Sequence, residues 1–163
     1  MEITIKPAYQ EREAIQELLF EYTSMVVAED PKYADFLKLQ RFEAEVNCPE
    51  KKYGQPGCRL YLVQVDGVPA GCIAMQKLDE ERCEMKRLYI RPAFRGQGIA
   101  RRLVEMLLAD ARKDGYEAMV LDTFPFLRHA IRLYRDLGFY EIPSYNNSPM
   151  DTTIYMRKDL CPA

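Results

Sequence analysis

One helix with a continuous apolar face constrains the fold more than any other feature of this sequence. Between Ile99 and Ala111, apolar residues recur at the three- and four-residue spacing of a helix that buries one side. Gly115 then supplies a C-terminal stop, because glycine readily takes the left-handed conformation that ends helices. Strands are predicted on either side, at Cys83–Ile90 and Ala118–Leu121. A strand, a helix and a buried strand in succession predict a crossover between two parallel strands.

The remaining elements are predicted around this crossover. Apolar spacing predicts three further helices, at Tyr9–Val27, Tyr33–Val46 and Leu127–Leu137. Alternating patterns predict further strands, at Ile3–Lys6, Leu60–Val65, Val68–Met75, Phe139–Ile142 and Thr152–Met156. Residues 47–58 hold two prolines and two glycines and are predicted to form a loop. We therefore expect one α/β domain over residues 1–163, with a mixed sheet of six to seven strands flanked by about four helices.

A local excess of positive charge surrounds the start of the Ile99–Ala111 helix. Residues 82–102 contain one acid, Glu84, and seven basic residues: Arg82, Lys86, Arg87, Arg91, Arg95, Arg101 and Arg102. Cations beside a helix N-terminus are unfavourable by ~0.3–1 kcal/mol each. A bound anion would offset this cost, so we predict an anion site at this end of the helix.

Two glycines before the helix suit the same anion. Gly96 and Gly98 lack a Cβ atom, so their backbone can turn sharply and bring N–H groups close to a ligand. Successive N–H groups that lead into a helix bind phosphate, and arginine side chains add paired donors. Two alternatives stay open from these residues alone. One is an ordinary loop with solvated arginines, and the other is a dinucleotide-binding loop, although Arg101 stands where its third glycine belongs.

The composition of the chain indicates its cellular compartment and excludes some classes of partner. The formal net charge is −2, which gives no general affinity for nucleic acid or anionic membranes. No apolar run approaches the ~20 residues that span a bilayer, and the N-terminus lacks the apolar segment of a signal peptide. Five cysteines lack any C-x-x-C pair: Cys48, Cys58, Cys72, Cys83 and Cys161. We expect no metal site, mostly buried thiols and a cytoplasmic protein without nucleic-acid or membrane partners.

Two motifs in this chain resemble those of the GNAT superfamily of acetyl-CoA-dependent N-acetyltransferases. The segment RGQGIA, Arg95–Ala100, is similar to the Q/R-x-x-G-x-G/A pyrophosphate loop of that family. Downstream, AIRLYRDLGF at Ala130–Phe139 resembles the family's helix with A-x-x-L-Y followed by G-F. Both motifs stand in the family's order, separated by a helix and a strand. The resemblance covers about Gly71 to Tyr140 and implies a single GNAT-like domain that uses acetyl-CoA.

The resemblance implies a role for the following residues. The CoA pyrophosphate would be held by the backbone of Arg95, Gly96, Gln97, Gly98, Ile99 and Ala100, with Arg101 beside it. The main chain of Leu88, Tyr89 and Ile90 would pair with the pantetheine arm and polarise the thioester carbonyl. Tyr134 matches the tyrosine that protonates the departing thiolate, and Glu84 matches a carboxylate that acts as general base. Related enzymes often place asparagine where Leu127 stands here, so this contact would be missing or supplied by Thr123 or Arg128.

The implied reaction transfers an acetyl group from acetyl-CoA to a primary amine by direct attack, without a covalent enzyme intermediate. The acceptor would be a small-molecule or protein amine, and the resemblance allows a homodimer. We hypothesise that the acceptor pocket is shaped by residues 47–58 and 143–150, with Tyr53 and Tyr145 in its lining. Acidic residues of the N-terminal half would attract a cationic amine: Glu21, Glu29, Asp30, Asp35, Glu43 and Glu45. Two other functions stay open: a catalytically silent CoA-binding sensor or regulatory module, and a nucleotide-dependent module.

Overall fold

A twisted sheet separates two groups of helices in the computed structural model, which describes residues 1–54 and 56–160. The strands are β1 (Ile3–Pro7), β2 (Arg59–Val65), β3 (Val68–Lys77), β4 (Arg82–Ile90), β5 (Ala118–Thr123), β6 (Tyr140–Ile142) and β7 (Ile154–Asp159). The helices are α1 (Arg12–Glu29), α2 (Tyr33–Leu39), α3 (Phe42–Asn47), α4 (Pro49–Tyr53), α5 (Ile99–Lys113) and α6 (Arg128–Asp136). The sheet order is β1-β2-β3-β4-β5-β7-β6, so the predicted α/β fold with a mixed sheet is confirmed.

The sheet carries an apolar core on each face. On one face, Leu103 and Leu107 of α5 pack with sheet residues such as Ile73 and Met119. On the other face, Ile15 of α1 belongs to a cluster that also contains Leu62, Cys72 and Ala74. Because successive side chains of a strand point to opposite faces, the nearly continuous apolar run of β3 supplies both cores.

The only parallel pairing among the described strands joins β4 to β5, as the crossover through α5 predicts. It lasts for three residue pairs, Arg82–Ala118, Cys83–Met119 and Glu84–Val120. Beyond Glu84, β4 continues beside β3 while β5 continues beside β7. The two central strands therefore part, and a cleft opens between their carboxyl-terminal ends.

A bulge in β4 lies along this cleft. Cys72 pairs with Tyr89 and Ala74 pairs with Lys86, so β4 has one residue more than β3 between these pairs. Arg87 takes a left-handed conformation with φ of 61° at this point. A bulge of this kind redirects the backbone and side chains of the strand, here beside the open edge of β4.

The prediction of about four helices was too low, because the described chain contains six. The predicted helix Tyr33–Val46 is two helices, since Arg41 takes a left-handed φ of 55° immediately before α3. The predicted loop 47–58 contains α4, which begins at Pro49, a position where proline's missing N–H costs nothing. The last strand was placed too early: it runs from Ile154 to Asp159 and pairs with β5 and β6.

No helix within the described ranges is both long and apolar enough to cross a membrane. Four cysteines carry free thiols, and Cys72 and Cys83 are fully buried, as expected for small core residues. Cys161 lies outside the described residues.

Candidate active site

A cleft of about 860 Å³ occupies the fork between β4 and β5. Its walls come from residues 85–90 of β4, residues 121–123 of β5 and the start of α6. One end opens onto the glycine loop before α5, and the other reaches Tyr22 of α1 and Tyr33 of α2. Ligands of open α/β sheets bind outside the carboxyl ends of the strands, which is where this cleft lies.

The glycine loop is built from a left-handed turn that leads directly into α5. Gly96 has φ of 81° and Gly98 has φ of 75°, values that residues with a Cβ rarely adopt. A Cβ atom added to either glycine would meet nothing within 4 Å in the protein itself. Packing within the chain therefore does not require glycine here, and open space lies beside the loop for a ligand.

The backbone donors of this loop have no partner in the described structure. The N–H groups of six consecutive residues donate no hydrogen bond: Gly96, Gln97, Gly98, Ile99, Ala100 and Arg101. The first helical bond runs from the Arg102 N–H to the Gly98 carbonyl at 3.2 Å. A row of free N–H groups at the start of a 15-residue helix fits the oxygens of a diphosphate.

Arg95 makes contacts within the protein, and its predicted contact with a pyrophosphate stays a prediction. Its N–H donates to the Pro92 carbonyl at 3.3 Å, so this donor is not part of the free row. Its side-chain Nε donates to the Ile90 carbonyl at 2.8 Å, and its guanidinium lies 5.9 Å from the centre of the Tyr89 ring. Arg95 therefore fixes the loop to the end of β4, and it still lines the cleft.

The predicted pantetheine contacts also lie on the cleft wall. Leu88, Tyr89 and Ile90 all line it, and beyond Glu84 the edge of β4 that faces β5 pairs with no described strand. This open edge can receive an extended ligand as an added strand. The Ile90 carbonyl is already occupied by Arg95, so the free donors and acceptors of this edge come from the residues before it.

The residues predicted to contact CoA near the start of α6 also line this cleft. Thr123 is buried at the end of β5 and lines the cleft. Arg128 is exposed at the first position of α6, and Leu127 stands at the N-cap before it; both line the cleft. An apolar Leu127 gives no side-chain hydrogen bond to a ligand, so the polar groups on this side come from its neighbours.

Tyr134 projects from α6 into the cleft. Its side chain is 6% exposed, and its ring lies 5.7 Å from that of Phe139. Among the described residues its hydroxyl makes no hydrogen bond. Burial, and to a lesser degree the nearby Asp122 carboxylate, raise the pKa of Tyr134 above that of an ordinary phenol. The phenol therefore keeps its proton at neutral pH and can donate it to a strong base.

Glu84 lies at the base of the fork rather than on the cleft wall. It is 4% exposed and pairs with Val120 at the last position where β4 and β5 are joined. One carboxylate oxygen accepts from Gln76 Nε2 at 2.6 Å, and the other accepts from the Tyr145 hydroxyl at 2.6 Å. Glu84 is not among the residues that line the cleft, and its predicted role as general base stays a prediction.

The two tyrosines predicted to line an acceptor pocket lie elsewhere. Tyr145 is bonded to Glu84, and Tyr53 is fully buried on α4 with an unpaired hydroxyl. Neither is among the lining residues of the cleft. Burial raises the pKa of both phenols, so both hydroxyls stay protonated, and that of Tyr145 donates to Glu84.

A second carboxylate was missed from the sequence. Asp122 of β5 lines the cleft, and its Oδ2 accepts a hydrogen bond from Asn146 Nδ2 at 2.9 Å. Asn146 is held in turn by the Tyr155 hydroxyl, which donates to its side-chain oxygen at 2.6 Å. Burial raises the pKa of Asp122. A usable signal was present, because Asp122 follows the buried run of a parallel strand at its carboxyl end.

Several arginines that were counted towards the anion site are paired within the protein. Arg82 binds Asp79, Arg87 binds Glu45 and Arg91 binds Glu21, at 2.7 to 2.9 Å. Glu21 and Glu45, which were predicted to attract a cationic amine, are therefore already paired with arginines. The cations that line the glycine-loop end of the cleft are Arg95, Arg101 and Arg128, and Arg101 also pairs with Glu105 at 2.9 Å. Fewer arginines are therefore available to an anion than the charge of the sequence indicated, while the N–H groups of Gly96–Arg101 have no partner.

Within residues 1–54 and 56–160, no three His, Cys, Asp or Glu side chains are grouped to hold a metal ion.

Comparison with known proteins supports the same family. The model of the acetyltransferase (GNAT) family matches residues 12–139. An N-acetyltransferase of Schizosaccharomyces pombe, described as uncharacterized, is 37% identical over 126 residues, which cover 76% of this chain and 77% of that protein.

Solved structures share the fold. An acetyltransferase from Streptococcus agalactiae 2603 superposes with a TM-score of 0.76 at 20% identity, covering 97% of this chain and 98% of that one. The yncA protein of Salmonella typhimurium, solved with acetyl-CoA, gives a TM-score of 0.67 at 21% identity, covering 99% and 95% of the two chains. Since the family model matches most of the sequence, this chain belongs to the acetyltransferase (GNAT) family and is an acetyltransferase.

Proposed function

We propose that this acetyltransferase moves the acetyl group of acetyl-CoA directly to a primary amine of a small-molecule or protein acceptor. The observation that carries the proposal is the row of six unpaired N–H groups in the Gly96–Arg101 segment, beside open space at two glycines. A diphosphate supplies the acceptors that these donors lack. Acetyl-CoA combines such a diphosphate with an extended arm, and the open edge of β4 suits that arm.

The residues of the cleft divide the chemistry between them. Free N–H groups on the β4 edge stabilise negative charge on the thioester oxygen when an amine attacks its carbon. The Tyr134 phenol supplies the proton that the departing thiolate takes. Acetyl-CoA is present in the related yncA structure, which agrees with this assignment of the co-substrate.

Alanine at both loop glycines tests the diphosphate site. Each Ala must adopt a left-handed conformation that costs ~1–2 kcal/mol, and its methyl group would occupy the space beside the free N–H groups. For the Gly96→Ala/Gly98→Ala variant, we expect the Kd for acetyl-CoA to rise about tenfold to a hundredfold, measured by calorimetry.

Gly67→Ala is the matched control. Gly67 has φ of 81° in the turn between β2 and β3, and an added Cβ would also meet nothing within 4 Å there. The control carries the same kind of backbone strain far from the cleft, so its affinity for acetyl-CoA should stay that of the wild type. Unchanged affinity in the Gly96→Ala/Gly98→Ala variant would place the diphosphate elsewhere.

A panel of amines tests the transfer itself. With L-amino acids, polyamines and peptides bearing free amino groups, we expect release of free CoA from acetyl-CoA that depends on the presence of one class of amine. The reason is that the cleft joins a thioester site to a polar inner end, where Asp122 and Lys86 lie. Tight binding of acetyl-CoA without amine-dependent release would instead favour a silent CoA-binding module.

A further inference from the structure

We propose that Asp122, and not Glu84, binds the ammonium group of the acceptor and takes its proton. This inference rests on the proposed acetyl transfer and names the residue that prepares the amine for attack. It follows from where the two carboxylates lie, what already occupies their oxygens and how the charges around them balance.

Position separates the two carboxylates. Glu84 pairs with Val120 at the last joined position of β4 and β5, where the fork is still closed. Asp122 lies two residues further along β5, on the part that has separated from β4, and it lines the cleft. An amine in the cleft can therefore reach Asp122, while the 4%-exposed Glu84 lies behind the cleft wall.

Glu84 and Asp122 also differ in the hydrogen bonds that their oxygens accept. Both oxygens of Glu84 accept short bonds of 2.6 Å, from Gln76 and from Tyr145. Each Glu84 oxygen therefore has one of its acceptor positions already filled by a short bond within the protein. Asp122 accepts one bond on Oδ2, from Asn146, and no described residue donates to Oδ1. Asp122 thus has an oxygen ready for an ammonium group.

Glu84 then acts as a positioning residue. It holds the Tyr145 hydroxyl, and Tyr145 directly precedes the Asn146 that binds Asp122. The Tyr145 ring also packs edge-on against Tyr155 at 5.3 Å, and Tyr155 bonds to Asn146. Glu84 therefore orients Asp122 through the 143–150 segment.

The local charge favours a cation. Lys86 Nζ lies 3.9 Å from Glu84, so one ammonium faces the two carboxylates of Glu84 and Asp122. Glu45 is shared by Arg87 and Lys52, so neither of these cations is left to pair with Asp122. Asp122 forms no ion pair with a described cation, and an acceptor ammonium would supply that partner.

The proton balance of the reaction closes with Asp122 and Tyr134. Asp122 takes one proton from the acceptor ammonium, which frees the nitrogen lone pair. The nitrogen forms a bond to the thioester carbon, and the carbon–sulfur bond breaks. Tyr134 gives its proton to the sulfur and regains one from the new nitrogen–carbon centre. The proton on Asp122 then leaves to solvent, so the acetylated amine, free CoA and one proton are formed.

Burial gives this step its pH dependence. A raised pKa of Asp122 places its ionisation above the ordinary aspartate value of 3.8. The rate should therefore fall as the pH drops through this raised pKa, because a protonated Asp122 cannot accept a proton. The titratable groups that face Asp122 are Glu84, Lys86 and Arg87 of β4, Tyr22 of α1, Tyr33 of α2, Tyr134 of α6 and Tyr145.

The test compares Asp122→Asn with Glu84→Gln, using acetyl-CoA and the amine that the wild type turns over fastest. For Asp122→Asn we expect kcat/KM for the amine to fall about a hundredfold to ten-thousandfold at pH 7, with loss of the acidic limb of its pH profile. Glu84→Gln should lose less activity and keep that limb. The Kd for acetyl-CoA and the melting temperature, measured on both variants, report any damage to the fold.

Chemical rescue keeps the inference falsifiable if Asp122→Asn folds poorly. Asp122→Ala leaves space for a small carboxylate, so added formate should restore part of its rate. Retention of the acidic limb in Asp122→Asn, its loss in Glu84→Gln, or no rescue by formate would overturn the role of Asp122. If the wild type binds acetyl-CoA but turns over no amine, the proposed transfer fails, and the role of Asp122 fails with it.

Discussion

Replacing Tyr134 with phenylalanine is expected to lower kcat for acetyl transfer by roughly a hundredfold to ten-thousandfold, the usual contribution of a positioned acid. The variant loses one hydroxyl, while the ring still packs against Phe139. The hydroxyl makes no hydrogen bond among the described residues, so its removal leaves no partner unsatisfied and should cost little stability. Steady-state kinetics and calorimetry together should show a low kcat with nearly unchanged affinity for acetyl-CoA.

Tyr116→Phe is the matched control for this prediction. Tyr116 is also a mostly buried tyrosine, and its hydroxyl donates to the Gly57 carbonyl at 2.8 Å, away from the cleft. Its loss should cost about 1 kcal/mol of stability and leave kcat unchanged. A fully active Tyr134→Phe variant would mean that water or another side chain protonates the thiolate.

The features that depend on local pattern were predictable from the sequence. The apolar face of α5 fixed a crossover, and the crossover fixed the parallel pairing of β4 and β5. The glycines before α5 pointed to an anion because their conformational freedom and the helix N-terminus are both local properties. For Tyr134, by contrast, only the family resemblance predicted a position near this loop.

Features that depend on distant partners were not predictable. The division of Tyr33–Val46 into two helices turns on one left-handed residue, Arg41, within a continuous apolar pattern. Asp122 and Asn146 are 24 residues apart, and nothing in their spacing indicates a hydrogen bond. The hydrogen bond that the Tyr145 hydroxyl donates to Glu84 likewise joins residues 61 positions apart. The local patterns of the sequence therefore indicated the glycine-loop end of the cleft, whereas the contacts around Asp122 were not predicted.

Arg87 shows the same limit through its charge. Its positive charge was included in the excess that predicted a bound anion. Its guanidinium instead binds both oxygens of Glu45, 42 positions away in the sequence, at 2.9 and 3.0 Å. Further bonds reach the Tyr33 hydroxyl at 3.1 Å and Gln40 at 2.6 Å. One buried arginine at the β4 bulge thus joins α2 and α3 to the strand that lines the cleft.

Glu45→Gln is therefore expected to destabilise the protein by about 3–5 kcal/mol, because it leaves the buried Arg87 without its counter-charge. Glu45 is 2% exposed, so water cannot replace the lost carboxylate. Arg87 holds the folded-state pKa of Glu45 well below its usual range, against the opposing effect of burial. The stabilisation is therefore complete above the ordinary glutamate pKa of 4.5 and is lost as the pH falls below it.

Urea denaturation at pH 7 and at lower pH measures both effects. The free-energy difference between wild type and Glu45→Gln should be largest at pH 7 and should shrink as the pH falls below 4.5. Glu43→Gln makes the same charge change on the exposed side of α3, so we expect a change within about 0.5 kcal/mol at every pH. If Glu45→Gln behaved like this control, the ion pair would not be what joins α3 to β4. Helices α2 and α3 would then be held to the sheet by their apolar contacts alone.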